Sequence, residues 1–530
     1  MGTVTFLAAI LGLCCTFPAT VMADSEHREF DAYLQAPFRS AADGTRTITL
    51  HFSYPGAAPE AATVRWRLHL LHPDGRVLQR WRGVRSLGTT SVAVAIRWRA
   101  QVPALRAGIY QLQLRATLFL QGKTDTIEQQ WPVAAGSPSA AAAIRPALPG
   151  AAPDQHYTIY LGNLHSQTNH SDGGAAIDHC DGAQKPQTGA YGPDHAYGYA
   201  QRHGLDFLMT SEHNHMFDGA TGASPQADAS AARALYQQGM QAAQQWNRQH
   251  AGFLALYGQE WGVIDGGGHL NILNGDSLLG WERNAAGELL ADIATPRDDY
   301  ASLYALMRER GWHGQFNHPR NGQFNINGQA LAWSSDGHAA MLLCEVMNSS
   351  AYSNRSDESE PRLSNFESAC NQLLEAGYHL AFSSNQDNHC ANWGASAGNR
   401  TGVLLRREEA LTPQSFLAAL QARRVFATMD KHGTLILTAN GHMMGQQLRH
   451  QGPLTLEIHH RNSNGHRLAA LQLLHGVPGR RGQVTVVSDS ASTMLTPEPG
   501  EHFYYARATQ DNGAVLWSAP IWVSQQPATK

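Results

Sequence analysis

The chain has 530 residues, enough for about three or four domains. Its 42% apolar content supports buried cores, and 15% charged residues is too few for a coiled coil or a solvated acidic or basic tail. The net charge of −4, with histidine neutral, gives no strong field for nucleic acid or anionic lipid, so no nucleic-acid partner is expected.

Residues 1–23 read as a secretory signal. Phe6 to Leu13 forms a short apolar stretch, and Val21-Met22-Ala23 fits a small-residue cleavage site before Asp24. Thr16 and Pro18 break that stretch, so it is too short to span a bilayer. No later segment is long and apolar enough, and no transmembrane span is expected. The expected location is therefore exported, periplasmic or secreted. Cleavage removes Cys14 and Cys15 and leaves Cys180, Cys344, Cys370 and Cys390. An even set in an exported chain permits two disulfides, in any of three pairings. Cys180–Cys390 is the favoured pair, because both follow motifs expected to converge. Four buried free thiols are the alternative.

Residues 24–135 read as an N-terminal β-sandwich domain. The segments 45–52, 62–70 and 110–118 alternate with period two, and turn signals such as Pro73-Asp74-Gly75 separate them. Residues 136–155 are rich in Pro, Ala and Gly and read as a linker. From 156 to 432 short apolar runs alternate with helical stretches. The runs are 158–164, 206–210, 253–257, 312–316, 341–347, 380–383 and 402–405. Helices are expected at 229–250, around Leu303, Leu306 and Met307, and at 366–375. This alternation predicts an α/β barrel with parallel strands and helices outside. Residues 433–530 return to strands and read as a second, smaller β domain.

The chemistry lies at the strand ends of the central segment. The first run leads into Asn163-Leu-His165-Ser-Gln167-Thr-Asn-His170-Ser-Asp172. The second leads into His213-Asn-His215, and the third into Glu260, followed by His269. The fourth leads into Asn317-His318-Pro319, the fifth carries Glu345, and the sixth leads into Asn385-Gln-Asp387-Asn-His389. In a parallel barrel the C-terminal strand ends share one face, so these groups can converge. Imidazole together with carboxylate is a donor set for Zn, Mn or Fe rather than for Ca or Mg alone. Two cations at such a site would activate a water and polarise an ester oxygen, with no Ser or Cys nucleophile required.

These motifs, in this order, resemble the PHP (polymerase and histidinol phosphatase) metallohydrolases, and most closely the CehA/McbA-like branch. The resemblance covers about 156–430, and Phe426 to Gly445 carries it into the C-terminal segment. It implies a distorted (β/α)7 PHP-type barrel, flanked here by N-terminal and C-terminal all-β sandwich-like domains. It also implies two or three divalent metal ions at the barrel mouth, held by His165, Asp172, His213, Glu260, His269, His318, Asp387 and His389. Glu260 would bridge two of them. Gln167 departs from the pattern, since the usual first motif is His-x-His. One ion position would then be weakened, with His170 as a candidate replacement.

The implied activity is a hydroxide-mediated hydrolysis, first of phosphomono- or phosphodiesters, on a small-molecule or cell-envelope ester. The alternatives are a carbamate or carboxylester hydrolase with the same metal centre, or a non-catalytic binding protein on a degenerate barrel. His215 could protonate a leaving oxygen, or serve as a hydrogen-bonding loop residue. Arg320 could clamp an anion, or form a salt bridge. Glu345 is read as an orienter of a ligand, with Asn348 near the same mouth. Tyr191 and Trp393 could wall the pocket, or simply pack.

Overall fold

The computed structural model describes residues 30–54, 62–135 and 153–527, apart from 89, 100–104, 106, 121, 181, 183, 264–266 and 481. The expected signal segment and nearly all of the linker lie outside the described residues. The chain is mixed α/β and mostly strand.

The N-terminal segment forms two antiparallel sheets. One joins Asp31–Gln35, Thr45–Ser53 and Val92–Arg99. The other orders Val77–Leu87, Ala62–Leu71, Gly108–Leu120 and Lys123–Ala135. Alternation along these strands buries Ile48, Leu50 and Phe52 in one core with Val64, Leu68, Leu112 and Leu114.

All seven expected runs of the central segment are strands. Tyr157–Asn163, Phe207–His213 and Leu254–Trp261 pair in parallel. The short strand Leu270–Ile272 then pairs antiparallel with Leu254–Trp261 and with Gly314–Phe316. Gly314–Phe316, Met341–Ser349 and Ala381–Asn385 continue in parallel. The reversal before Leu270 needs Gly262 and Gly268, with φ of 117° and 110°; a Cβ on Gly262 would lie 2.5 Å from the Gly268 carbonyl oxygen.

Two features depart from the expected all-parallel order. Leu270–Ile272 is an added antiparallel strand, and the seventh run, Arg400–Arg406, pairs antiparallel with Tyr157–Asn163. No helix lies between Ala381–Asn385 and Arg400–Arg406, and a strand that returns without a crossover must reverse direction. Those two strands are joined through Thr401, whose Oγ1 accepts from Ser384 N at 2.9 Å and donates to Ser384 O at 3.1 Å.

Helices cover the outside. Ala229–Gln249 is capped by Asp228, whose side chain accepts from Ser230 N and Ala231 N. Its Tyr236 packs in one cluster with Tyr197 and Tyr257. Pro413–Gln421 begins with a Thr412 capping box and places Phe416 against Phe207, with ring centroids 4.7 Å apart.

The sheet continues from Arg400–Arg406 through Val425–Thr428 into Val515–Ser518, Gly500–Gln510 and Leu468–Gly476. A second layer, which includes Gly433–Ala439 and Leu454–Asn462, shares its core through Leu437, Ile458, Leu473 and Leu516. Glu367 ties three parts of the chain together. Its carboxylate accepts from Gln130 Nε2 at 3.1 Å, Tyr505 OH at 2.6 Å and Arg507 Nη1 at 2.7 Å.

Candidate metal centre

Six strands of the curved sheet run in the same direction, so their C-terminal ends form one rim. The register places Glu260 directly beside His213. Ser166 bridges Asn388, and Gln167 N donates to Asn388 O at 2.9 Å. That contact brings the first and sixth strand ends together across more than 200 residues of chain. The hairpin after Trp261 returns His269 to the same rim, where Asn317 N donates to His269 O at 3.1 Å.

The expected ligands converge into three groups of closely spaced donor atoms: His165, His318 and Asp387; Asp172, His213 and His389; and His213, Glu260 and His269. Glu260 touches all three groups. Its Oε2 lies 3.0 Å from His165 Nε2 and 3.6 Å from His213 Nδ1. Its Oε1 lies 3.1 Å from His269 Nδ1 and 3.4 Å from His318 Nε2. His165 Nε2 is also 3.0 Å from Asp387 Oδ1, and His389 Nε2 is 3.4 Å from Asp172 Oδ1. All of these side chains are buried or nearly so.

A carboxylate and amide network holds the ligands in place. Glu345 Oε1 sits 3.1 Å from His165 Nδ1, which turns Nε2 toward the centre, and its Oε2 accepts from His318 N at 2.8 Å. Asn385 and Asn348 donate to the same carboxylate at 3.0 and 3.2 Å. Asn317 Nδ2 donates to Glu260 Oε1 and to Asn271 Oδ1, each at 2.8 Å. The sequence reading gave no role to Asn317, Asn385 or Asn271. The signal was present, because an Asn stands one or two residues before His165, His318 and Asp387. Glu212 was also missed. It accepts from Thr168 N, Thr168 Oγ1 and Ser171 Oγ and so shapes the turn that presents Asp172; burial pushes its carboxyl up to about 7. Tyr352 stands with its ring 4.9 Å from that of His389, and no motif marked it. His318 and Asp387 have φ of 27° and 49°, in the left-handed region, so two ligands are held in costly backbone conformations.

The electrostatics are those of charges withdrawn from water. Burial works against the charged His165 ring, but Asp387, Glu260 and Glu345 hold its pKa well above the ordinary range. Burial likewise opposes charge on His389, and Asp172 and Asp387 override it and raise the ring to about 10. Burial dominates at His213 and lowers it to about 4, with His269 and His389 adding to the effect. Glu260 stays well below the usual carboxylate range despite burial, because His165, His269 and His213 surround it. A metal fits this donor set. His269 Nε2 and Gln167 Oε1 are buried with no hydrogen-bond partner among the described residues, a costly arrangement that a cation would relieve.

The remaining candidates fall into place around this centre. Gln167 Nε2 donates to Glu260 Oε2 at 2.7 Å and lies 3.4 Å from Asp387 Oδ1. His170 does not stand in for the missing imidazole. Its Nδ1 is 2.8 Å from Tyr257 OH, and burial lowers it to about 4, so it is a hydrogen-bonded core histidine. His215 packs on Trp281, with its centroid 5.9 Å from that of His213. Arg320 Nη1 donates to Asp125 Oδ2 of the N-terminal segment at 2.6 Å. Trp393 is fully buried and donates to Gln167 O at 2.9 Å, which makes it a strut beneath the first motif. Tyr191 stacks on His195 at 4.2 Å.

Two disulfides are present, Cys180–Cys390 and Cys344–Cys370. The first ties Cys180 to the residue after His389; the second ties the strand of Glu345 to the helix Glu367–Ala376. Disulfides fit an oxidising compartment. Among the described residues no helix is long and apolar enough to cross a membrane.

No family model matches the chain, and no curated protein matches it either. Solved structures similar to parts of it include the CARDB domain of a Pyrococcus furiosus protein in complex with di-metal ions, at 12% identity and TM-score 0.15, covering 20% of this chain and 87% of that one. A Bacteroides uniformis β-glucuronidase aligns at 10% identity and TM-score 0.16, over 94% of this chain and 61% of that one. A glycosyl hydrolase family 2 member from Bacteroides cellulosilyticus aligns at 9% identity and TM-score 0.16, over 94% and 64%. The chain thus spans less than two thirds of either glycosidase. Scores this low carry no argument about fold or function.

Proposed function

We propose that the chain is an exported metal-dependent hydrolase of the PHP kind, and that it cleaves phosphomono- or phosphodiesters. The single observation that carries this reading is Glu260, one buried carboxylate within 3.0 to 3.6 Å of four imidazoles from four separate segments. Such a cluster of donors is the arrangement expected of a site for two or three Zn, Mn or Fe ions. His165, His318 and Asp387 would hold one ion, and Asp172, His213 and His389 another. His269 and Glu260 would serve a third, or be shared. When bound, these ions supply Lewis acidity toward water and toward the ester oxygen.

The protein's own groups do the rest. Glu345 fixes the His165 tautomer by accepting a hydrogen bond from its Nδ1–H. Gln167 and Asn317 orient Glu260 through their amide protons. His215, held on Trp281 beside His213, delivers a proton from its imidazole to the leaving oxygen.

A carbamate or carboxylester substrate is the second reading. Its support is Arg320, whose guanidinium is engaged by Asp125 and so is less available to a phosphate. The test is hydrolysis of aryl phosphate monoesters, diesters and carboxylesters by protein loaded with Mn or Zn, beside Glu260→Gln and the Asp387→Ala/His389→Ala double variant. Metal-dependent phosphate release that both variants abolish is the expected result. Equal turnover in all three proteins overturns the hydrolase reading. Faster ester turnover, unchanged in Arg320→Ala, selects the second substrate class.

A further inference from the structure

The added strand Leu270–Ile272 pairs with Leu254–Trp261 only over Gln259–Trp261. On that side, among the described residues, no strand covers Leu254–Gly258, which leaves a window in the sheet. A cavity of about 600 Å³ opens there, between the helices Ala229–Gln249 and Pro413–Gln421. That volume is within the range of small-molecule sites.

The floor of the cavity is apolar. Leu164, Leu256, Leu273, Phe416 and Leu420 line it, and Met240 and Leu417 stand at its sides. Leu256, Met240 and Leu417 remain only half-buried, so apolar surface faces open space. Among the described residues that line it, Arg248 is the one charged side chain, and no acid accompanies it. Arg248 is exposed on the last turn of its helix and makes no ion pair with a described residue. An uncompensated cation at the mouth of an apolar chamber is complementary to an anion with a hydrocarbon body.

We propose that this cavity binds a single-chain aliphatic carboxylate, with its tail in the chamber and its head at Arg248. None of the candidate metal ligands lines the chamber, so the proposal stands apart from the hydrolase reading. The chamber does share a wall with the metal centre: Leu164 precedes His165, and the hydroxyl of Tyr257 holds His170.

Isothermal titration calorimetry on the full chain tests the proposal, with octanoate and decanoate as probes beside decanol and decylamine. Decanoate is expected to bind once per chain. Each added methylene should tighten binding about fourfold, and decylamine should bind about tenfold more weakly than decanoate. Arg248→Glu, at an exposed position, should cost decanoate about tenfold and favour decylamine instead. Leu417→Trp narrows the chamber and should weaken binding of decanoate, decanol and decylamine alike while Tm is retained. The proposal is overturned if decanoate shows no saturable binding, or if Arg248→Glu binds it as the unaltered protein does.

Discussion

Gln167 donates its amide proton to Glu260 Oε2 at 2.7 Å, so a neutral side chain steers the carboxylate that four histidines surround. At this position the resemblance led one to expect an imidazole. The amide holds Glu260 in place but leaves its own Oε1 buried without a hydrogen-bond partner among the described residues.

Gln167→His should therefore add a donor where Gln167 now offers a weak one. The expected outcome is more Zn or Mn retained per chain after dialysis against a weak chelator, measured by inductively coupled plasma mass spectrometry. Unchanged stoichiometry would mean that the position lies outside the coordination sphere.

Glu345 acts through His165 rather than on substrate. Glu345→Gln keeps the shape but weakens its hold on the Nδ1 proton and removes a charge facing His165. Metal affinity should fall by about 10- to 100-fold, and Tm of the metal-free protein should change far less than Tm of the loaded protein. Equal losses in both forms would assign Glu345 a purely structural role.

Metal uptake should release protons. In the metal-free protein His389 is raised to about 10 and His165 lies well above its ordinary value, so both rings carry protons that a cation must displace near neutral pH. Calorimetric enthalpies of Zn binding should then vary with the ionisation enthalpy of the buffer, and affinity should rise with pH. The raised His389 stabilises the metal-free fold below about pH 6.5, and that contribution is lost as pH climbs through 10. Tm of metal-free protein should fall over this window, and the stabilisation given by metal should grow.

His379 makes the opposite prediction far from the metal centre. Burial, helped by His338 and Arg423, lowers its pKa to about 3, and its ring packs 4.4 Å from Trp522. The unfolded chain takes up this proton first, so the contribution is complete above about pH 6.5 and is lost as pH falls toward 3. His379→Phe, which keeps the ring, should shrink the Tm difference between neutral and mildly acidic buffer. A difference as large as that of the unaltered protein would place the acid sensitivity elsewhere.

Much of the candidate site was legible in the sequence, because strand ends carry their ligands in local patterns. His213 ends its strand, Glu260 lies next to last in its own, and Asp387 and His389 follow a third closely. Period-two burial made the N-terminal strands equally legible, as in Thr45–Ser53. The chain itself thus determined which residues occupy strand ends, and which donors stand beside one another along the backbone.

Only the tertiary structure decided what each donor meets. His170 and His165 lie in the same motif, yet one bonds Tyr257 and the other faces Glu260 and Asp387. Arg320 follows His318-Pro319, yet its charge is taken up by Asp125, 195 residues away in sequence. The antiparallel return of Arg400–Arg406 and the window beside Leu254–Gly258 depend on which strands pair. The reason is physical. Local pattern sets the face on which a side chain emerges, whereas its partner is set by packing among segments hundreds of residues apart, and no local periodicity records that pairing.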